Sequence, residues 1–252
     1  MCTLIILRRP GHPWPLLLGA NRDEMRDRPW SPPGRHWQEW PQVVAGLDRL
    51  AGGSWLGVND HGLACGVMNR EGSLGPASHK RSRGELVLEA LDHAQARAAA
   101  QALADLNPAA YQPFNLFLGD PLDAFWLRNA GGFIDLREVP SGLHMLTARE
   151  LDDASDPRIR HFLPGFRAAQ PPDPGAEDWE SWQSLLSCNN SPNPEARNSA
   201  MCFELDTGFA TLSSSLIALP DHPGAGREAI WRFNDRPCDP AGFYPILPAE
   251  HQ

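Results

Sequence analysis

Met1-Cys2-Thr3-Leu4-Ile5-Ile6-Leu7-Arg8-Arg9, Pro10-Gly-His-Pro-Trp-Pro15 and Leu16-Leu-Leu-Gly-Ala-Asn-Arg-Asp-Glu24 together form the stretch on which the fold turns. The outer runs are rich in β-formers and the middle one is turn chemistry, so the segment predicts a hairpin with strands over 3–9 and 16–22. With Arg9 set against Leu16, Cys2 falls opposite Asp23, their Cβ atoms about 4.5–5.5 Å apart. A register one residue away puts Arg22 there instead. In either register Asn21-Arg22-Asp23-Glu24 meets Cys2 at the end of the hairpin.

Outward from the hairpin, residues 26–41 carry four prolines and three tryptophans and read as an ordered surface loop. Strands follow over 42–45, 54–58 and 63–68, the last two joined by the turn Asn59-Asp-His-Gly62. Ser82 and Glu85 fit a capping box, and Val87, Leu91, Ala94, Ala98 and Ala102 recur at helical spacing, which predicts one helix over 82–106. Further strands are expected over 115–118, 124–128, 133–137 and 143–147, helices over 157–168 and 177–187, and strands over 201–205, 209–218 and 229–233. That order predicts an α+β domain spanning 1–252, with antiparallel sheets and helices on the outer faces.

The chain has 252 residues, 42% of them hydrophobic, and a formal net charge of −9. The acidic balance argues against nucleic acid, which needs a basic face for counterion release. The apolar run Leu4 to Leu7 is too short for a signal core or a membrane span. Five cysteines without a C-x-x-C pair indicate neither a disulfide framework nor a thiolate zinc site, and fit a reducing cytoplasm. The nine histidines are dispersed, so no metal or other cofactor is expected.

A cysteine at position 2 has a particular chemistry. Removal of Met1 would leave a thiol and an α-amine on one residue, titrating near 8.5 and around 7.7–8.0 respectively, so that the amine could serve as base for its own thiol. Asp23 is placed to hold the ammonium, and Arg22 to lower the thiol pKa or grip a substrate carbonyl. Taken alone, the four polar residues also suit a surface ion pair at a strand end. An acyl transfer needs oxyanion donors, for which Asn69 and the backbone at Gly52 and Gly53 are candidates, the hairpin setting Asn69 opposite Gly52. A plain turn role for the two glycines stays open.

Several motifs occur here in the order and spacing of the NRDE family, which includes the transport and Golgi organisation proteins. They are Met1-Cys2-Thr3, Ala20 to Glu24 with Arg28-Pro29, Ala45-Gly46 with Asp48, Gly52 to Gly57 with Asn59, Asn69, and Ser82-Arg-Gly84. Asn115-Leu116, Leu143 with Leu146-Thr147 and Leu151-Asp152, and Thr211 to Ser215 extend the resemblance over nearly the whole chain. The chain departs from that pattern at Ala148, where the family has asparagine, and at Leu212, where it has arginine.

The family resembles N-terminal-nucleophile hydrolases, and Trp55 to Asn69 is similar to the strand–turn–strand of choloylglycine and penicillin-V acylases. The resemblance implies an αββα sandwich, with Cys2 as nucleophile, Asp23 orienting the amine, Arg22 as polar partner and Asn69 at the oxyanion. Asn21, Gly52, Gly53 and Trp55 would line the substrate. The implied activity is hydrolysis of a non-peptide C–N bond in a small amide or acyl compound. The alternative is a non-catalytic binding or trafficking protein that uses the same cleft for a lipid, acyl-coenzyme A or haem.

Overall fold

The computed structural model describes residues 2–75, 77–193, 195–222 and 227–247. Its first hairpin joins β1 (Thr3–Arg8) to β2 (Leu16–Met25), pairing Thr3 with Asn21 and Arg8 with Leu16. That register is one residue from the Arg9–Leu16 pairing. The ladder runs a step further into the turn, because Pro15, which has no N–H to give, still accepts from Arg9 N at 2.7 Å. Continued past Thr3, the register sets Cys2 against Arg22 and turns the Asp23 side chain to the opposite face of the sheet.

This hairpin is the centre of a six-stranded antiparallel sheet. β10 (Gly142–Leu146) pairs with β1, β11 (Phe209–Leu219) with β2, and β12 (Ile230–Asn234) and β13 (Tyr244–Leu247) follow. The second sheet has seven strands in chain order: β3 (Trp30–Gly34), β4 (Val43–Asp48), β5 (Leu56–Asn59), β6 (Ala64–Asn69), β7 (Phe114–Gly119), β8 (Ala124–Asn129) and β9 (Ile134–Glu138). One apolar core, including Leu18, Leu56, Met68, Phe117, Trp126 and Ile217, lies between the sheets. A second lies under α1 (Gly84–Leu91) and α2 (Ala96–Ala104) on the seven-stranded sheet, and a third under α3 (Pro157–Ala168) and α4 (Glu180–Leu186) on the six-stranded one. The result is the αββα order of layers.

Five local expectations are corrected. The single helix over 82–106 is two helices. Asn59 Nδ2 takes the carbonyls of Leu91 and His93 at 2.9 and 2.7 Å, and Asp120 accepts from Ala96 N at 2.7 Å, so tertiary caps end one helix and start the next. The capping box does not form: Ser82 Oγ accepts from Gly84 N, and Glu85 pairs with Arg81. The loop over 26–41 contains β3. Residues 201–205 form no extended strand: their pairing with the start of β11 is confined to a bridge of Glu204 with Ala210, and the Met201 carbonyl goes to side chains of Asn21 and Thr211. Cys202 and Cys238 form a disulfide with Cα atoms 5.5 Å apart, contrary to the reading of the cysteines, and this withdraws the argument for a reducing compartment from cysteine usage. Among the described residues no helix is long and apolar enough to cross a membrane.

Candidate active site

Cys2 is half-buried where β1 begins, at one end of the space between the sheets. Its Sγ accepts from Asp23 N at 3.4 Å and lies 3.6 Å from Asp23 O. Burial, and next the charge of Asp23, push the thiol above its ordinary pKa, while Arg22 pulls the other way. Below the thiol is a small pocket that opens to solvent. Leu4, Ala20, Leu56 and Met68 give it apolar walls, and Arg22, Trp55, Ser213 and Ser215 its polar groups.

Arg22 is 5% exposed, with its guanidinium carbon 4.0 Å from the Trp55 ring centroid and 5.7 Å from that of Trp30. The stack explains how a cation is held in an apolar setting. Burial lowers its pKa, opposed by the negative charge of Cys2. Its Nη1 is buried and has no hydrogen-bond partner among the described residues, so one charged donor beside the thiol is uncommitted there. Trp55 can lie there because position 46 is glycine: a Cβ on Gly46 would stand 2.3 Å from the indole.

On the other face of β2, Asp23 is clamped. Arg158 donates to its Oδ2 at 2.9 Å, and Thr211 Oγ1 to its Oδ1 at 2.8 Å. The same guanidinium donates to Thr3 Oγ1 at 2.6 Å and Asn198 O at 2.7 Å. Its placement follows from the start of α3. Asp156 caps that helix by accepting from Arg158 N, Pro157 occupies the first turn, and Thr147, at the end of β10, donates to the Asp156 carboxylate at 2.6 Å. A bulge in β11 absorbs Leu212, so that Thr211 pairs with Asp23 while Ser213 pairs with Arg22. Leu212 itself lines a separate hollow with Phe203 and Cys238.

The structure therefore brings Cys2, Arg22, Asn21 and Trp55 to one pocket and sets the backbone of Asp23 against the sulfur of Cys2. Asn21 is tied into the scaffold: its amide donates to Leu186 O and Met201 O and accepts from Ser214. Asn69 ends β6 opposite Phe114 and does not line the pocket, although Met68 does. Gly52 and Gly53 also lie outside it. By the register of β5 and β6, Asn69 would face Gly53 and not Gly52, but the chain leaves the ladder there. Gly53 packs on Gly84, where a Cβ would meet backbone at 2.5 Å. Ala148 is buried, and its carbonyl accepts from Glu71 N.

Three contributors escaped the sequence reading: Arg158, Thr211 as the partner of Asp23, and Arg83. Arg83 is held by Ser73 and Pro113 and feels the charge of Cys2. The Asp156-Pro157 helix start is legible in the sequence, but nothing local marks Arg158 as the partner of Asp23.

A profile described as Transport and Golgi organisation 2 matches residues 1–218. Among curated proteins, none matches. Among solved structures, a Caenorhabditis elegans N-acylethanolamine-hydrolyzing acid amidase ortholog aligns with a TM-score of 0.58 at 12% identity, covering 89% of this chain and 95% of that one. Penicillin V acylase from Agrobacterium tumefaciens aligns at 0.52 and 17% identity, covering 93% and 83%. A mutant conjugated bile acid hydrolase from Clostridium perfringens aligns at 0.52 and 12%, covering 94% and 89%. At these identities the likeness is one of fold, that of the N-terminal-nucleophile hydrolases.

Proposed function

This chain belongs to the Transport and Golgi organisation 2 family, and from that membership and its fold we propose that it is an N-terminal cysteine amidohydrolase acting on the C–N bond of a small acyl amide. The observation that carries the proposal is the uncommitted Arg22 Nη1 beside Cys2 in an apolar pocket. A buried charged donor without an acceptor is costly, and a carbonyl oxygen gaining negative charge is the acceptor it suits.

After removal of Met1, the α-amine of Cys2 takes the thiol proton, and Asp23, held by Arg158 and Thr211, orients the resulting ammonium. The sulfur adds to the amide carbon while Arg22 donates to the oxygen. The C–N bond breaks as the ammonium returns its proton to the leaving amine, which leaves a thioester on Cys2. Water then adds to the thioester, giving its proton to the α-amine. Collapse releases the acid, and the departing thiolate takes that proton back. Thr211, Thr3 and Asn198, which bond to Asp23 and Arg158, hold the carboxylate in place, the kind of preorganisation this cycle needs.

The test is covalent. The mature chain is treated with an acyl electrophile and its mass is measured. One acyl group is expected on the peptide containing Cys2, and none on folded Cys2→Ala. Equal labelling of Cys2→Ala would remove the proposal.

A further inference from the structure

The pocket holds two hydroxyls that the protein does not use. Ser213 and Ser215 are 2% and 3% exposed and line it, and neither side chain makes a hydrogen bond among the described residues. Ser214, between them on the strand, faces the other way and donates to Asn21 at 2.6 Å. The register explains the arrangement: Ser213 pairs with Arg22 and Ser215 with Ala20, so Cys2, Arg22 and Ser213 form one row across the sheet. Ser215 lies one pleat deeper, about 7 Å along the strand. The next residues on this face, Leu18 and Ile217, are filled core, so the hollow is short.

A hydroxyl that faces the pocket without a protein partner is left to whatever fills the pocket, and here two occur in succession along the wall, within a row of the Arg22 donor. We propose that the pocket takes a short acyl group carrying an oxygen function of its own, an ether, hydroxyl or keto oxygen two to five bonds beyond the carbonyl carbon, which Ser213 and Ser215 hydrogen-bond. It discriminates against the plain alkyl chain of the same length. This rests on the reading of Cys2 as nucleophile and names the substrate class of that site. With the carbonyl between Cys2 and Arg22, such an oxygen falls within the span from Ser213 to Ser215.

The probes are p-nitrophenyl methoxyacetate and p-nitrophenyl butanoate, whose acyl groups have the same number of heavy atoms. Sulfur adds to the ester carbonyl and nitrophenolate leaves, so nitrophenol release and the mass of the Cys2 peptide report acylation. Each rate is divided by that of cysteine methyl ester with the same ester, which removes intrinsic reactivity. The wild type is expected to prefer methoxyacetyl on the order of ten-fold, one or two hydrogen bonds' worth, and Ser213→Ala/Ser215→Ala to lose the preference and gain on butanoate. A corrected ratio near unity in the wild type, or one unchanged in the double variant, overturns the proposal. If neither ester acylates Cys2, the nucleophile reading fails separately. The pocket is then read by calorimetric titration of methoxyacetamide and butanamide into both proteins. Tighter methoxyacetamide binding by the wild type alone supports the proposal, and equal binding overturns it.

Discussion

Replacing Arg158 by methionine removes the cation from the clamp on Asp23 while keeping most of the apolar stem. The pair is sealed from water: the Arg158 side chain is 4% exposed and that of Asp23 0%. Arg158 also donates to Thr3 and to the carbonyl of Asn198, so one substitution releases bonds to β1, β2 and the segment before residue 201. Removing one partner of a buried ion pair costs about 3–5 kcal/mol, because the other charge stays in a low-dielectric site. For a chain of this size each kcal/mol lowers Tm by about 2–4 °C, so the expected fall is roughly 6–20 °C. Urea unfolding followed by tryptophan fluorescence measures the free-energy loss, and thermal unfolding by the same signal the fall in Tm. Arg158→Met/Asp23→Asn should recover part of the loss, since the second change removes the carboxylate that Arg158 faces. A loss under about 1 kcal/mol, or strict additivity in the double variant, would refute the reasoning that the pair is a buried, coupled clamp.

Gly46→Ala drives a methyl into the Trp55 indole and should cost about 1–3 kcal/mol in urea unfolding while disturbing the Arg22 stack; a neutral effect would show that Trp55 moves aside freely. Cys238→Ser opens a disulfide spanning 36 residues, and the loop-entropy estimate gives a loss of about 4 kcal/mol, to be matched by reducing the wild type; no change on reduction would mean the bond constrains little. Because burial and Asp23 raise the Cys2 pKa, the folded chain keeps this proton at pH values where the unfolded chain has lost it. Stability from this group is therefore lost as pH rises past the ordinary thiol value. Iodoacetamide labelling of Cys2 in a chain retaining Met1 should likewise rise only above that value, and Met1 removal, which puts an ammonium on Cys2, should bring the midpoint down; identical midpoints would contradict self-activation.

The sequence carried the first hairpin because its two apolar runs and proline-rich turn act locally, and carried α3 because Asp156 and Pro157 cap it in place. The register slipped by one because the acceptor capacity of Pro15 is invisible to a rule that counts strand formers. The helix over 82–106 was misread because the residues that divide it, Asn59 and Asp120, come from other strands and turns. At the site, the pairing of Cys2 with the Asn21–Asp23 segment was legible from geometry. Arg158, 135 positions from Asp23, was not, since nothing local distinguishes it from other arginines. The alternation of Ser213, Ser214 and Ser215 did contain the answer to which hydroxyls share a face, once the strand's partner was known.

The most direct test of the central claim is amine release from a short N-acyl amide by the mature chain, measured beside two controls: Cys2→Ala, and a chain whose N-terminal extension blocks the α-amine. The account predicts release above the buffer rate for the mature chain, and the buffer rate for both controls while they remain folded. Equal release from the mature chain and from Cys2→Ala would contradict it.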